Sequence, residues 1–180
     1  FFKFHDLAFA NQQALTPENF EKWAGEAGVD VAKFKAAYAA KTYAAKVNED
    51  VAMAMKVGAT STPSFRVNGV TVKGNQSFEK LSAVVDQQLK DAAALVASGT
   101  KPQDVYVALT NKNFVEPTKA DPVVSEKEDK AVWNVPVLAD DPIRGQPDAL
   151  VPVIIFSAFQ CPYCKKVEPT LTQLAEAYPN

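Results

Sequence analysis

The first 58 residues carry apolar side chains at spacings of three and four, the periodicity of helices that bury one face. Thr16-Pro17 has the composition of a helix start, Gly28 marks the end of that helix, and Asp30 is expected to cap the next one. The apolar faces of these predicted helices are formed by Phe1, Phe4, Leu7 and Ala8, by Phe20, Trp23, Ala24 and Ala27, and by Val31, Phe34 and Tyr38. The alanine-rich stretch that continues to Gly58 is too long for one helix of a compact domain, so we expect a break near Lys41-Thr42.

The pattern changes to strand alternation in "GATSTPSFRVNGVTVKG", residues 58–74. It predicts a loop, a strand, a turn at Asn68-Gly69 and a second strand, because Asn-Gly between β-branched residues is a strong hairpin signal. A helix capped by Ser77 is expected to follow and to extend to about Ala97, with a further short helix in residues 101–112.

The last third of the chain combines a polar segment with the most apolar run. Residues 113–130 are charged, contain prolines and show no periodicity, so we expect a linker there. Residues 132–145 predict an edge strand and a loop, and "ALVPVIIFSAF" (149–159) predicts a buried central strand. The sequence from residue 161 onward, "CPYCKKVEPTLTQLAEAY", predicts the helix that follows this strand.

Composition excludes several classes of protein. Apolar residues make up 47% of the 180, enough for a substantial core, and 19 basic against 21 acidic residues give a net charge of −2. This charge argues against nucleic acid or an anionic membrane as the main partner, and no apolar run approaches the length of a membrane span. The chain begins at Phe1 without a basic segment or a cleavage site, so no signal peptide is visible in it, and we expect its natural start to be missing or moved.

Cys161 and Cys164 are the only cysteines of the chain, and a Cys-x-x-Cys pair has three common uses. A zinc site would need two more ligands, and the chain has a single histidine, His5, whose neighbour Asp6 should point to another side of its helix. A structural disulfide this short would close a very small loop and stabilise little. We therefore expect no metal and no cofactor, and interpret the pair as a site of thiol–disulfide exchange.

The predicted order of strand and helix supplies a physical reason for this interpretation. The buried strand would deliver Cys161 to the first turn of a helix, where unpaired backbone N–H groups and the helix dipole stabilise a thiolate. Cys161 is then the accessible nucleophile, and Cys164, one turn further on, resolves the mixed disulfide. Lys165 and Lys166 would add positive charge nearby.

A strand followed by "CPYC" and a helix, with Pro169 five residues beyond the second cysteine, resembles the thioredoxin fold. The stretch "STPSFRVNG" resembles the cis-proline loop of the same family. The resemblance implies a cis peptide bond between Thr62 and Pro63. It also implies that Thr62 offers its backbone N–H and C=O to an extended substrate peptide beside Cys161.

Two further stretches resemble the DsbA-like branch of that superfamily. The helices predicted over residues 16–58 lie before the cis-proline loop, as the helical insertion of that branch does, and "VPVLADDPIRGQPDALVPVIIFSAFQCPYC" resembles the opening of bacterial DsbA-like domains. The resemblance covers residues 1–97 and 132–180. It implies that the dipeptide Pro162-Tyr163 tunes the reduction potential, and that the protein is periplasmic or otherwise extracytoplasmic.

The sequence departs from the family in two respects. Family members usually carry a buried acid six residues before the first cysteine, and Ile155 occupies that position here, which leaves proton transfer at the second thiol without an identified group. The order of the motifs is also inverted, because Pro63 precedes Cys161. A further strand and part of a helix, which the family would place between "AEAYPN" and "FFKFHD", are not found in the chain.

This order leaves two arrangements open. In one, the chain is cut across a tandem array, with the back half of one unit in residues 1–97, a short helix and linker in 98–131, and the front half of the next unit in 132–180. Alternatively, its segments are rearranged so that its own halves assemble. In the first arrangement, which the linker slightly favours, Cys161 and Pro63 belong to different sites, completed by exchange of segments between chains. In the second they face each other.

The sequence thus predicts an α/β protein with a thioredoxin-like fold, a DsbA-type helical insertion and segments in permuted order, domain-swapped where segments exchange between chains. We expect a protein disulfide oxidoreductase that acts on protein or peptide thiols and disulfides and works with a redox partner protein, as a homodimer in the case of segment exchange. The direction of the exchange is left open. The alternative is a non-catalytic thioredoxin-like module that binds peptides or its own copies, for which Cys161→Ser would change nothing.

Overall fold

The structure, a computed structural model, describes residues 1–113 and 133–179. Its N-terminal part forms the helices α1 (Phe2–Ala10), α2 (Pro17–Glu26), α3 (Val31–Ala39) and α4 (Ala44–Lys56). The predicted helix caps are confirmed, because the Thr16 hydroxyl accepts the N–H of Asn19 at 3.3 Å and the Asp30 carboxylate accepts that of Lys33 at 3.1 Å. The predicted break between α3 and α4 is also confirmed and includes Lys41, whose φ is +51°.

The predicted hairpin is formed by β1 (Ser64–Val67) and β2 (Val70–Lys73), which pair antiparallel. The two turn residues, Asn68 and Gly69, have φ of +45° and +82°. Positive φ at both central positions defines a type I′ turn, and Asn and Gly adopt that conformation more readily than other residues do.

The apolar run after residue 149 forms a shorter strand than predicted, β3 (Val153–Phe156), which pairs antiparallel with β1. The sheet order is β2-β1-β3, so the fully buried β1 is the central strand. The prediction that this run forms the central strand is wrong for the described residues, because none of their strands pairs with the outer edge of β3. Ile155 is accordingly 39% exposed. An apolar run indicates that a strand packs against something, but not how many neighbours it has.

The described residues form three more helices: α5 (Phe78–Ala97), α6 (Val105–Asn113) and α7 (Pro162–Ala177). The helices α5 and α7 pack against the sheet, and α6 packs against α5. Side chains of the sheet, α5 and α7 form the main core: Phe65, Val67, Val72, Leu81, Val85, Val167 and Leu174. A second cluster is formed by the residues after α4, the segment before β3 and β3 itself: Val57, Ala59, Val135, Ile154 and Phe156. Burial of these two clusters holds the long-range contacts of the chain in place.

The edge strand predicted within residues 132–145 does not form among residues 133–145. Individual hydrogen bonds hold this segment instead of a strand ladder. The Trp133 N–H donates to Gly69 O at 2.9 Å. The Tyr106 hydroxyl donates to Val135 O and accepts from Val135 N–H. Pro136 has no N–H to give to a ladder, which is consistent with this arrangement. The predicted linker over residues 113–130 lies almost entirely outside the described residues.

The pairing of β3 with β1 brings the two halves of one chain together. Ser64 lies opposite Phe156, so the residues that precede β1 and those that follow β3 lie at the same end of the sheet. Pro63 and Cys161 are therefore neighbours within this chain. Within the described residues, no helix is both long enough and apolar enough to cross a membrane.

Candidate active site

Cys161 is the N-cap residue of α7. Its sulfur accepts the backbone N–H of Cys164 at 3.3 Å, which is the bond that a serine or aspartate makes at this position in other helices. Pro162 occupies the first helical position, where the missing N–H costs nothing. The first turn of α7 thus directs an N–H group and the positive end of the helix dipole at the Cys161 sulfur.

The Thr62–Pro63 peptide bond is cis, as the resemblance implies. Pro63 is fully buried, and the Cys161 thiol donates to the Thr62 carbonyl at 3.3 Å across a separation of 99 residues. The structure therefore places Thr62, Pro63 and Cys161 in one site.

The environment separates the acidities of the two thiols. Burial raises the pKa of Cys161, but hydrogen bonds with the Thr62 side chain, with Cys164 and with the Tyr163 backbone outweigh it and hold that pKa below its ordinary value. Burial also raises the pKa of Cys164, which is fully buried, and the neighbouring Cys161 raises it further. The site thus favours the thiolate form at Cys161 and the protonated thiol at Cys164.

Two hydroxyl-bearing side chains lie next to the Cys164 thiol, where the family resemblance leads us to expect a carboxylate. The Ser157 side chain and the Thr62 side chain both form hydrogen bonds with it that lower its pKa, without offsetting the effect of burial. Ser157 follows β3 directly and is exposed. The family pattern predicts an acid at the position of Ile155, and no sequence pattern indicates the hydroxyl of Ser157 two residues later.

Gln12 is a second residue that the sequence did not reveal. Its side-chain Nε2 donates to the carbonyls of Phe159 and Cys161, both at 2.7 Å. Gln12 lies in a 3₁₀ turn (Gln12–Ala14) just after α1, about 150 residues away along the chain. No local pattern links a lone glutamine in a turn to a distant backbone, so only the fold reveals this contact.

The lysines after the motif bind elsewhere. Lys165 Nζ donates to Ala10 O, at the end of α1, at 3.1 Å, and Lys166 Nζ lies 5.2 Å from the centre of the Tyr163 ring. Tyr163 itself is 57% exposed. Neither lysine is among the groups that lower the pKa of Cys161.

His5 lies between aromatic side chains and carboxylates, at the edge of the core. Its ring is edge-on to Phe9 and Phe159, its Nδ1 is 2.9 Å from Asp6 Oδ1, and its Nε2 is 3.7 Å from Glu168 Oε1. The expectation that His5 and Asp6 point apart is thus wrong, because the two side chains are within hydrogen-bond distance of each other. Donor atoms of His5, Asp6 and Glu168 lie within 4.8 Å of one another. Arg144 also pairs with Asp6, at 3.3 Å, so the group forms an ion-pair cluster.

Comparison with known proteins agrees with this geometry. A family model described as "Thioredoxin" matches residues 1–87 and 138–179, more than half of the chain. The chain is also similar to curated proteins, among them Na(+)/H(+) antiporter NhaA of Herminiimonas arsenicoxydans, 30% identical over 105 residues, and Na(+)/H(+) antiporter NhaA 3 of Salinispora tropica, 30% identical over 102 residues. The matches cover 58% and 57% of this chain but only 16% of each antiporter. No solved structure matches the chain significantly.

Proposed function

Because the chain belongs to the thioredoxin family, we propose that it is a thiol–disulfide oxidoreductase that exchanges disulfides with protein substrates through Cys161 and Cys164. The observation that carries the proposal is the placement of the Cys161 sulfur, which accepts the N–H of Cys164 and lies 3.3 Å from the Thr62 carbonyl. A partly exposed thiol of lowered pKa beside a buried thiol of raised pKa is the combination that two-step exchange requires.

In the reducing direction, the Cys161 thiolate attacks one sulfur of a substrate disulfide. A mixed disulfide forms and the other substrate sulfur leaves as a thiolate. Cys164 then gives up its proton, attacks the Cys161 sulfur and releases the second substrate thiolate, which takes up a proton. The substrate disulfide is reduced, and the Cys161–Cys164 pair is oxidised. The oxidising direction is the reverse, and a redox partner protein restores the starting state in either case.

Substrate binding is assigned to the cis-proline loop. In the unbound protein, the Thr62 carbonyl accepts a hydrogen bond from the Cys161 thiol. Once Cys161 is ionised, this carbonyl is available to a peptide N–H. An extended peptide bonded to the Thr62 backbone would lie next to the attacking sulfur. Pro162 and Tyr163 flank the same position and would tune the potential.

The finer assignment is to the DsbA-like branch, in the periplasm or another extracytoplasmic compartment. The helices α2 to α4, between α1 and the cis-proline loop, support it as the counterpart of the helical insertion. Antiport activity is not part of the proposal, since this chain spans only about a sixth of the antiporters that it resembles.

A second candidate function is a non-catalytic module that binds peptides or its own copies. It is favoured by Ile155, which occupies the position of the expected buried acid, and by the outer edge of β3, which no strand in the described ranges covers. An uncovered strand edge can add a strand from another chain, which would also allow segment exchange in a homodimer.

Disulfide exchange with a model protein, measured in both directions, tests the proposal. We expect the wild type to reduce an insulin disulfide in the presence of a dithiol and to oxidise a reduced substrate protein. Cys161→Ser should abolish both activities, and Cys164→Ala should accumulate a mixed disulfide through Cys161. A wild type inactive in both directions, with peptide binding unaffected by Cys161→Ser, would establish the binding module instead.

A further inference from the structure

We propose that Gln12 is a positioning residue for the Cys161 thiolate, an inference that deepens the proposed function and rests on it. Gln12 Nε2 carries two hydrogens, and each is donated to a carbonyl of the segment that leads into α7, those of Phe159 and Cys161, at 2.7 Å. The side chain is only partly exposed, and the bonds are short for an amide donor. One side chain therefore fixes two peptide groups, one on each side of Gln160.

The bond to the Cys161 carbonyl controls the conformation on which the sulfur depends. Cys161 has φ −81° and ψ 117°, the extended conformation of an N-cap residue, and in it the sulfur accepts the N–H of Cys164. Rotation about ψ of Cys161 moves its carbonyl and the start of α7 relative to the sulfur. Because Gln12 holds that carbonyl, it opposes this rotation and keeps the N–H groups of the first turn directed at the sulfur.

The Phe159 contacts fix the same segment from the other side. Its carbonyl is bound by Gln12, and its ring packs against Phe9, with ring centres 5.2 Å apart, and against His5 at 5.8 Å. Cys161 N donates to Ala158 O at 3.0 Å, which closes the turn between these two anchors. Contacts with α1 and with the 3₁₀ turn that follows α1 thus fix the conformation of residues 158–161.

The segment that carries Gln12 is in turn held by a hydrogen bond donated from α7. Lys165, on the first turns of α7, donates to Ala10 O at the end of α1, two residues before Gln12. The end of α1 and the start of α7 are therefore joined by side chains from both partners. A helix end fixed in this way keeps Gln12 within bonding distance of both carbonyls, as precise positioning of a reactive group requires.

The test compares Gln12→Met, which keeps the volume and removes both donors, with Gln13→Met in the same turn. Gln13 is exposed, and its side chain makes no hydrogen bond within residues 1–113 and 133–179. The readout is the alkylation rate of reduced Cys161 as a function of pH, together with the reduction potential. We expect Gln12→Met to raise the Cys161 pKa and to slow alkylation at pH 7 about three- to tenfold, the effect of losing a hydrogen bond that supports the thiolate. Gln13→Met should match the wild type.

Gln12→Glu and Gln13→Glu form a second pair that keeps the shape of the side chain. The carboxylate at position 12 repels the two carbonyl oxygens, so Gln12→Glu should slow alkylation more than Gln13→Glu, which adds the same charge nearby. The proposal is overturned if folded Gln12→Met has the same alkylation profile against pH as Gln13→Met. If Gln12→Met does not fold, the same comparison of folded Gln12→Glu with Gln13→Glu decides. The alkylation profile needs no turnover, so it decides the role of Gln12 even if the wild type fails to exchange disulfides.

Discussion

Replacing Cys164 by alanine should raise the pKa of the Cys161 thiol, whereas replacing it by serine should leave that pKa close to its value in the reduced protein. The Cys161 sulfur has four polar neighbours: the backbone of Cys164, the backbone of Tyr163, Thr62 and the Cys164 side chain. Alanine removes only the last of these, because the backbone N–H remains. Serine keeps a hydroxyl that donates to the sulfur from the same buried position.

The size of the effect follows from the loss of one hydrogen bond. A hydrogen bond contributes about 0.5–1.5 kcal/mol net, so its loss lowers the thiolate fraction at a fixed pH about two- to tenfold. Iodoacetamide alkylation of the single remaining cysteine, measured from pH 5 to pH 10, gives the pKa from its midpoint. The plateau at high pH separately reports the nucleophilicity of the thiolate, which rises with pKa and would otherwise mask part of the change.

Both variants have one cysteine, so the comparison is free of disulfide formation within the chain. Equal midpoints for Cys164→Ala and Cys164→Ser would refute the reasoning, since they would show that the side chain at position 164 does not stabilise the thiolate. A lower midpoint for the alanine variant would refute it more strongly, because burial alone would then control the acidity of Cys161.

Three further predictions concern stability and are measured by urea unfolding of the reduced protein. Tyr106→Phe removes the hydroxyl that donates to Val135 O at 2.7 Å and accepts from Val135 N at 3.0 Å, and should cost about 1–3 kcal/mol because both backbone groups are buried. A loss below about 0.5 kcal/mol would mean that water reaches Val135 instead. Gly69→Ala should cost about 1–2 kcal/mol, because alanine is strained at the φ of +82° that the turn requires; an unchanged unfolding midpoint would contradict the type I′ turn. Burial raises the pKa of Glu168, with His5 and Arg144 opposing it, so the folded protein disfavours the charged form. Glu168→Gln should therefore be more stable than the wild type at pH 8, and the difference should vanish as the pH falls below the ordinary Glu range. A stability difference that grows towards low pH would show that the sign is wrong.

Local signals in the sequence were sufficient for most elements. Thr16 and Asp30 cap their helices because a short oxygen-bearing side chain bonds to an N–H three residues on, whatever the rest of the chain does. The hairpin follows from Asn68-Gly69 in the same way, since few other dipeptides tolerate positive φ at both positions. Cys161 and Cys164 were also readable, because their spacing and the helix after them carry the chemistry locally.

Contacts between distant segments could not be read from the sequence. An apolar run such as 149–159 indicates burial without specifying a partner, so the edge position of β3 among the strands of residues 1–113 and 133–179 and the exposure of Ile155 were not predicted. Gln12 was missed because it bonds to backbone carbonyls, and a carbonyl carries no residue-specific signal.

By itself, the sequence determined which segments are helices and turns, and which thiol lies at the start of α7. Only the tertiary structure decided that the two motifs form one site, because that depends on the pairing of Ser64 with Phe156 across 91 intervening residues. Caps and turns are settled by groups a few residues apart, within reach of a short stretch of chain. The pairing of β1 with β3 depends on the apolar surface that the whole chain buries around the sheet, and no single stretch of sequence contains it.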